Sequence, residues 1–244
     1  MNTKLLIITF LIGLSACKSN KIKLLEKKNE PIKKKLKQTF QVGPENANYY
    51  YRNQACLELA DIYILEHKYD SALIYLKLSE NKYRPVDFGC SSGNFERYYL
   101  LDYKYALCFA GMDQLDSAIN RLTPKMFVKQ EDVFIYSSQY QKINKFYLEL
   151  LFSKYSKKEL KNKINSSLEK LVYLKQKDTS VTNTDSTQNW VCISCYFLFL
   201  DSQVFALDYC IEENSWDSYS LKFLSKEYLY KYIKETKTYK ELNK

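Results

Sequence analysis

Two stretches of this chain repeat each other. They are "LADIYILEHKYDSALIYLKLSE", residues 59–80, and "YALCFAGMDQLDSAINRL", residues 105–122. Aligning Ala60 with Ala106 sets Tyr63 on Phe109, Tyr69 on Leu115, and Asp70-Ser71-Ala72 on Asp116-Ser117-Ala118. Each block keeps the same spacing between its two alanines. A repeated unit of this size cannot bury its apolar face alone, so copies must stack. The units read as helical. Cys56, Leu59, Ala60 and Tyr63 fall on one face of a helix over 53–66, the period of an amphipathic helix. "HKYD" breaks that period, and Asp70 is placed to cap a second helix at its N-terminus. The second helix runs from Ser71 with Ala72, Tyr75, Leu76 and Ser79 along one side, and Pro85 stops further helix. In the second block, over 99–125, Tyr105, Ala106, Phe109, Leu115, Ala118, Leu122 and Pro124 take the matching roles, and Asp116 repeats the cap.

Small Ala60 and Ala72 for close helix approach, Tyr63 beside them, Tyr69 at the turn, Ser79 and Pro85 together resemble a tetratricopeptide repeat, a two-helix unit. Cys56 stands where that family usually has tryptophan, and Ala60 where it often has glycine. A degenerate third pair reads over 141–174, with a capping-box pattern from Ser156 to Glu159 and Leu148 and Leu160 in place of the alanines. The first two blocks lie further apart than a single unit requires. The excess is the Gly/Ser/Pro-rich stretch 83–97, "YRPVDFGCSSGNFER", read as a loop. The fold class expected is therefore mainly α, a TPR-like helical-repeat solenoid over 45–176 with a small C-terminal β-hairpin and a capping helix. In the family it resembles, the first helices line a concave groove that holds a peptide or partner domain. Carried over by position, that groove would include Gln54, Leu57, Asp61 and Ile64 from the first unit and Tyr103 and Leu107 from the second. The chain's own loop at 83–97 is the alternative occupant.

The N-terminus carries a separate signal. Lys4 precedes a nearly all-apolar run, Leu5–Leu14, and Leu14-Ser15-Ala16 stand directly before Cys17. The run is too short to span a bilayer, which takes ~20 residues, and has the layout of a secretory signal peptide. The Leu-Ser-Ala-Cys ending resembles the lipobox of bacterial lipoproteins. That resemblance implies that residues 1–16 are removed and that Cys17 becomes the first mature residue, carrying acyl chains such as palmitate. Several chains together give a stable anchor. Lys18 follows where lipoprotein sorting signals for inner-membrane retention have aspartate, so the resemblance implies the outer membrane, facing the periplasm.

Residues 18–40 hold nine lysines and two glutamates, a net of +7, against +9 for the whole chain. The basic character therefore resides in a tether, 17–44, and not in a basic face of the folded domain, which nucleic-acid binding would require. Such a segment fits either anionic lipid head groups or a solvated spacer. The five glycines and four prolines are few, and the 23 tyrosines supply apolar area with a polar tip, suited to partly wet helix pairs.

The C-terminal region, 177–244, begins with a polar loop over 177–189. An apolar stretch follows, read as a β-hairpin of 191–200 and 203–209 turning at Asp201–Ser202, with a buried helix as the alternative. A final helix over 219–236, with Leu221, Leu224, Tyr228 and Tyr232 on one side, would cap the last repeat, since solenoid ends need covering.

Little in the sequence points to catalysis. His67 is the only histidine and sits in a turn, so a Ser–His–Asp site would have to use it. Cys192 and Cys195 form a C-x-x-C that could act as a redox pair or half a metal site. Residues three apart on a strand face opposite ways, and no second pair completes a zinc site. A structural disulfide is the stronger reading, with Cys195 and Cys210 diagonal across the hairpin. Cys56 and Cys108 match core positions, and Cys90 lies in the loop. The expectation is a lipid-anchored scaffold or adaptor with a protein or peptide partner. It carries no catalytic residues, no metal and no cofactor beyond the covalent lipid on Cys17, and binds no nucleic acid. A thiol-active envelope protein using Cys192 and Cys195, or a spacer without a specific ligand, are its rivals.

Overall fold

At the end of the first helix in each block, the backbone enters the left-handed region at the equivalent residue. His67 has φ 58° and Asp113 has φ 60°. The turns share their hydrogen bonds as well. Lys68 N donates to Tyr63 O at 2.8 Å, and Gln114 N donates to Phe109 O at 2.9 Å. His67 N donates to Ile64 O, and Asp113 N to Ala110 O. A single residue with positive φ closing a helix, with backbone N–H groups returning to the last free carbonyls, is a C-capping turn. The repetition seen in the side chains is thus also a repetition of backbone geometry.

The structure is a computed structural model. It describes residues 21–38, 49–81, 91–129, 137–181, 187–212 and 225–244. Residues 1–16, read from the sequence as a signal segment, and Cys17, Cys90, Leu221 and Leu224 lie outside the described residues. The chain is mostly helical with a small three-stranded antiparallel sheet. It divides into two compact units, residues 1–89 with 107–114, and residues 90–106 with 115–244.

In the first unit, residues 21–38 are helical, here α1. This corrects the reading of 17–44 as a featureless tether. α1 is fastened by Lys33, which is 3% exposed and donates to Glu66 at 3.0 Å. α2 (Tyr49–Leu65) and α3 (Tyr69–Asn81) form a helical hairpin. Cys56, Leu59, Ala60, Ala72 and Leu76 are fully buried in it. Tyr63 stacks on Tyr75 with ring centroids 5.5 Å apart. At the far end of the hairpin, buried Asn53 donates to the hydroxyl of Ser79 at 2.8 Å and to its carbonyl at 3.0 Å. A small Ser79 therefore serves as a polar lock between the helices. Asp70 is not the cap that its position implied. α3 begins at Tyr69, two residues before the expected Ser71, so Asp70 stands in its first turn, where a carboxylate still favours the positive end of the helix.

α4 (Ser91–Gly111) gives its last turns to the first unit and the rest to the second. Because it starts at Ser91, the latter part of the 83–97 stretch is helix, where a loop was expected; residues 82–90 are outside the described residues. In the second unit, α5 (Leu115–Leu122) leads into a 3₁₀ turn over Thr123–Lys125. α6 (Ser137–Lys154) is followed across a short turn by α7 (Lys157–Glu169), in the stretch read as a degenerate third pair. Its turn differs from the other two, having no residue with positive φ. The expected cap is present, since the Ser156 side chain accepts from Glu159 N.

The sheet has strand order β1-β2-β3, with β1 Val172–Val181, β2 Thr187–Phe199 and β3 Ser202–Glu212. β2 and β3 are the expected hairpin. β1 corrects two expectations at once, since 172–174 was read as helix and 177–189 as loop. Its polar sequence has no strong strand signal, and pairing with β2 from Val172↔Tyr196 to Val181↔Thr187 makes it a strand. The hairpin turns at Leu200–Asp201, one residue before the expected place. Both have positive φ, 50° and 62°, the two-residue type I′ turn that matches strand twist. Cys195, Phe197 and Phe199 alternate inward and are buried, while Leu198 is exposed. Phe127 meets the rings of Phe197 and Phe199 edge-on at 5.3 and 5.5 Å.

The expected single C-terminal helix is two, α8 (Lys226–Glu235) and α9 (Lys237–Leu242), with Thr236 between them. Thr238 donates to the Met126 carbonyl at 2.5 Å, and Asn144 of α6 donates to Thr238 at 2.9 Å. All three side chains are buried. α9, beyond the 219–236 helix expected to cap the last repeat, packs on α6 and α7, whereas α8 contacts β3 and α9. Among the described residues no helix is long and apolar enough to cross a membrane.

Candidate partner-binding face

α2 has two unlike sides. Asn53, Cys56, Leu59, Ala60 and Tyr63 face the core. Advancing ~100° per residue, Gln54, Leu57, Asp61 and Ile64 fall together on the other side. Gln54 and Asp61 are exposed, and Leu57 and Ile64 are half-buried. Leu65 ends the strip at 61% exposure. Gln54 Nε2 donates to Glu58 Oε1 at 3.2 Å, along the same helix. The strip thus presents branched apolar side chains between carboxylates and an amide. Such a surface suits a peptide or helix with apolar anchors and basic neighbours.

Leu107 belongs to the same unit and is half-buried. Tyr103 belongs to the second unit. There its ring packs edge-on against Phe146 at 5.6 Å, with the Lys142 ammonium 5.8 Å from the ring centre. Burial, and then the charge of Glu149, push its phenol above the ordinary value. Tyr103 is therefore engaged by its own α6, which its place in the repeat pattern did not reveal.

The turn of the first hairpin is built from aromatic and polar groups. His67 is exposed, and its Nδ1 and the Tyr69 hydroxyl lie 2.7 Å apart in a hydrogen bond. The Tyr69 ring lies against Gly111, where an added Cβ would overlap it. Glycine is needed there for space.

Two charge clusters were not legible in the sequence. Glu66 has a fully buried side chain and accepts from Lys33 at 3.0 Å and from Asn29 at 3.3 Å, with Lys68 at 3.4 Å. Burial on its own would lower the Lys33 ammonium; its hydrogen bonds to Glu30 and Glu66 outweigh that and hold it above the ordinary lysine value. In the second unit, buried Asp102 pairs with Arg121 at 2.5 Å and with Lys125, and the Arg121 guanidinium lies 4.4 Å from the centre of the Tyr105 ring. Charged pairs with sequence separations of this size carry no local pattern.

The cysteines separate into two kinds. Cys56, Cys108 and Cys195 are buried and reduced. Burial pushes the Cys56 thiol up to about 12 and the Cys195 thiol up to about 11. Cys192 is disulfide-bonded, so the Cys195 bridge weighed from the sequence is corrected. A bulge between Cys195 and Tyr196 shifts the register by one, and this sets Cys210 opposite Cys192 in the β2–β3 pairing. Among the described residues no group of three or more His, Cys, Asp or Glu side chains could hold a metal ion.

No family model, curated protein or solved structure matches this chain.

Proposed function

We propose that this chain is a lipid-anchored, tetratricopeptide-like scaffold of the bacterial cell envelope that binds a protein or peptide partner. The observation that carries the reading is the twin left-handed turn at His67 and Asp113, with its matching hydrogen bonds. Repeated hairpins stack into solenoids whose exposed faces serve for binding. The binding strip is Gln54, Leu57, Asp61 and Ile64 on α2, with Leu107; Tyr103 is a sixth position, tested on its own. Anchorage through Cys17 puts the chain on the outer membrane, facing the periplasm. The thiol-active rival is weakened by Cys195. A nucleophilic thiol needs a lowered pKa and access, and this one is buried with its pKa raised.

The test is co-purification of the intact protein from its own host after mild solubilisation. Wild type is compared with Leu57→Arg and, separately, with Tyr103→Arg, each checked for unchanged helical circular dichroism. A protein retained by wild type and lost with Leu57→Arg supports the adaptor. The same list from all three, or an empty one, rejects the strip.

A further inference from the structure

Folding sorts the charges of α1. Ile22, Leu25, Asn29, Lys33 and Leu36 share one side of the helix, and each is buried or half-buried. Both glutamates are paired, half-buried Glu26 with Lys68 and exposed Glu30, on the flank of the helix, with Lys33, each at 3.0 Å. The opposite side carries Lys21, Lys23, Lys27, Lys28 and Lys34, all exposed, and no acid. Among these lysines stands Leu24, 69% exposed, while Ile32, 49% exposed, lies at the border of the buried side. In the linear sequence the lysines and glutamates are mixed; only the packing of α1 sets out a cationic face with an apolar side chain, Leu24, within it.

We propose that this outer face of α1 lies on an anionic lipid surface. The lysines meet head-group phosphates, and Leu24 enters the boundary of the acyl chains, as in interfacial amphipathic helices. Two observations select lipid over nucleic acid. An exposed leucine among the lysines of the face finds a partner in a bilayer and none along a phosphate backbone. The face also begins four residues after Cys17, within ~14 Å of extended chain, a point that rests on the lipidation reading. The consequence is orientational. The Lys33–Glu66 contact joins α1 to the turn of the α2–α3 hairpin, so a docked α1 holds the α2 strip at one attitude to the membrane.

The test uses the mature chain from Lys18 onward, without lipid, sedimented with vesicles of phosphatidylcholine alone or enriched in phosphatidylglycerol. Binding is expected only with the anionic vesicles. Lys27→Gln with Lys34→Gln should weaken it by about thirty-fold, roughly fivefold per lysine near the surface. Leu24→Ser should weaken it as well. Lys157→Gln with Lys158→Gln, the same charge change on exposed positions of α7, should leave it unaltered. Equal recovery with both kinds of vesicle, or an equal loss in the α7 control, overturns the proposal. So does duplex DNA binding that shows the same lysine dependence while Leu24→Ser is silent towards vesicles. Lipidation of Cys17 is read separately, from the intact mass of the protein isolated from its host, so the two readings fail independently.

Discussion

Lys33→Met is the substitution that most directly probes how α1 is held. It keeps an unbranched stem in a site where the native side chain is 4% exposed and removes only the ammonium. Glu66, with a fully buried side chain, then keeps the Asn29 amide at 3.3 Å and Lys68 at 3.4 Å. Breaking one half of a buried pair costs about 3–5 kcal/mol, because the remaining charge is uncompensated. Since Lys68 stays within reach, a loss of about 3 kcal/mol is expected here. Replacing both, Lys33→Met with Glu66→Leu, should cost less than Lys33→Met alone, because no charge is left stranded. The assay is urea unfolding followed by circular dichroism, with hydrogen exchange over 21–38 to localise the change. The pH dependence has a definite sign. The Lys33 ammonium is held above its ordinary value, so its contribution is complete below roughly pH 10.4. It disappears as the pH rises through the higher folded-state value. Wild type should therefore lose stability at alkaline pH in a step that Lys33→Met lacks. A loss below about 0.5 kcal/mol, the size of an exposed pair, with an unaltered alkaline profile, would refute the reasoning.

Other outcomes follow from particular contacts. Gly111→Ala should destabilise by about 1–3 kcal/mol through overpacking against the Tyr69 ring, and Tyr69→Leu should recover part of the loss in thermal unfolding of the double variant. Leu200→Asn with Asp201→Gly should stabilise the hairpin by about 1 kcal/mol, since both positions have positive φ and this pair suits a type I′ turn; an unchanged melting temperature would count against the turn. Cys56 and Cys195 should resist iodoacetamide at neutral pH until the chain unfolds, because burial pushes their thiols up to about 12 and 11. Rapid labelling of Cys195 in the native protein would contradict its burial.

The helices over 59–80 and 105–122 were legible because their signals are local. Ala60, Tyr63, Tyr69 and Ala72 fall within a dozen or so residues of one another, and period and small-residue spacing act over that range. The Ser156 cap was readable for the same reason. Details of a residue or two escaped. Asp70 looked like a cap, yet the left-handed residue His67 lets α3 start at Tyr69. At the hairpin, Asp201–Ser202 is the more polar pair, but strand twist placed the turn at Leu200–Asp201.

Local pattern by itself determined that this chain is mainly helical, with a strand-rich segment towards its end, because helix period and turn chemistry are properties of neighbouring residues. It also determined the basic N-terminal segment as composition. Tertiary structure decided what those charges do. Lys33 finds Glu66 far along the chain and is buried with it, while Lys27 and Lys34 stay outside. It likewise made a strand of polar 172–181 through pairing with β2, and set Cys210 opposite Cys192 through one bulge. In each case the deciding partner lies far off in the chain, so no window of sequence contains both halves of the interaction.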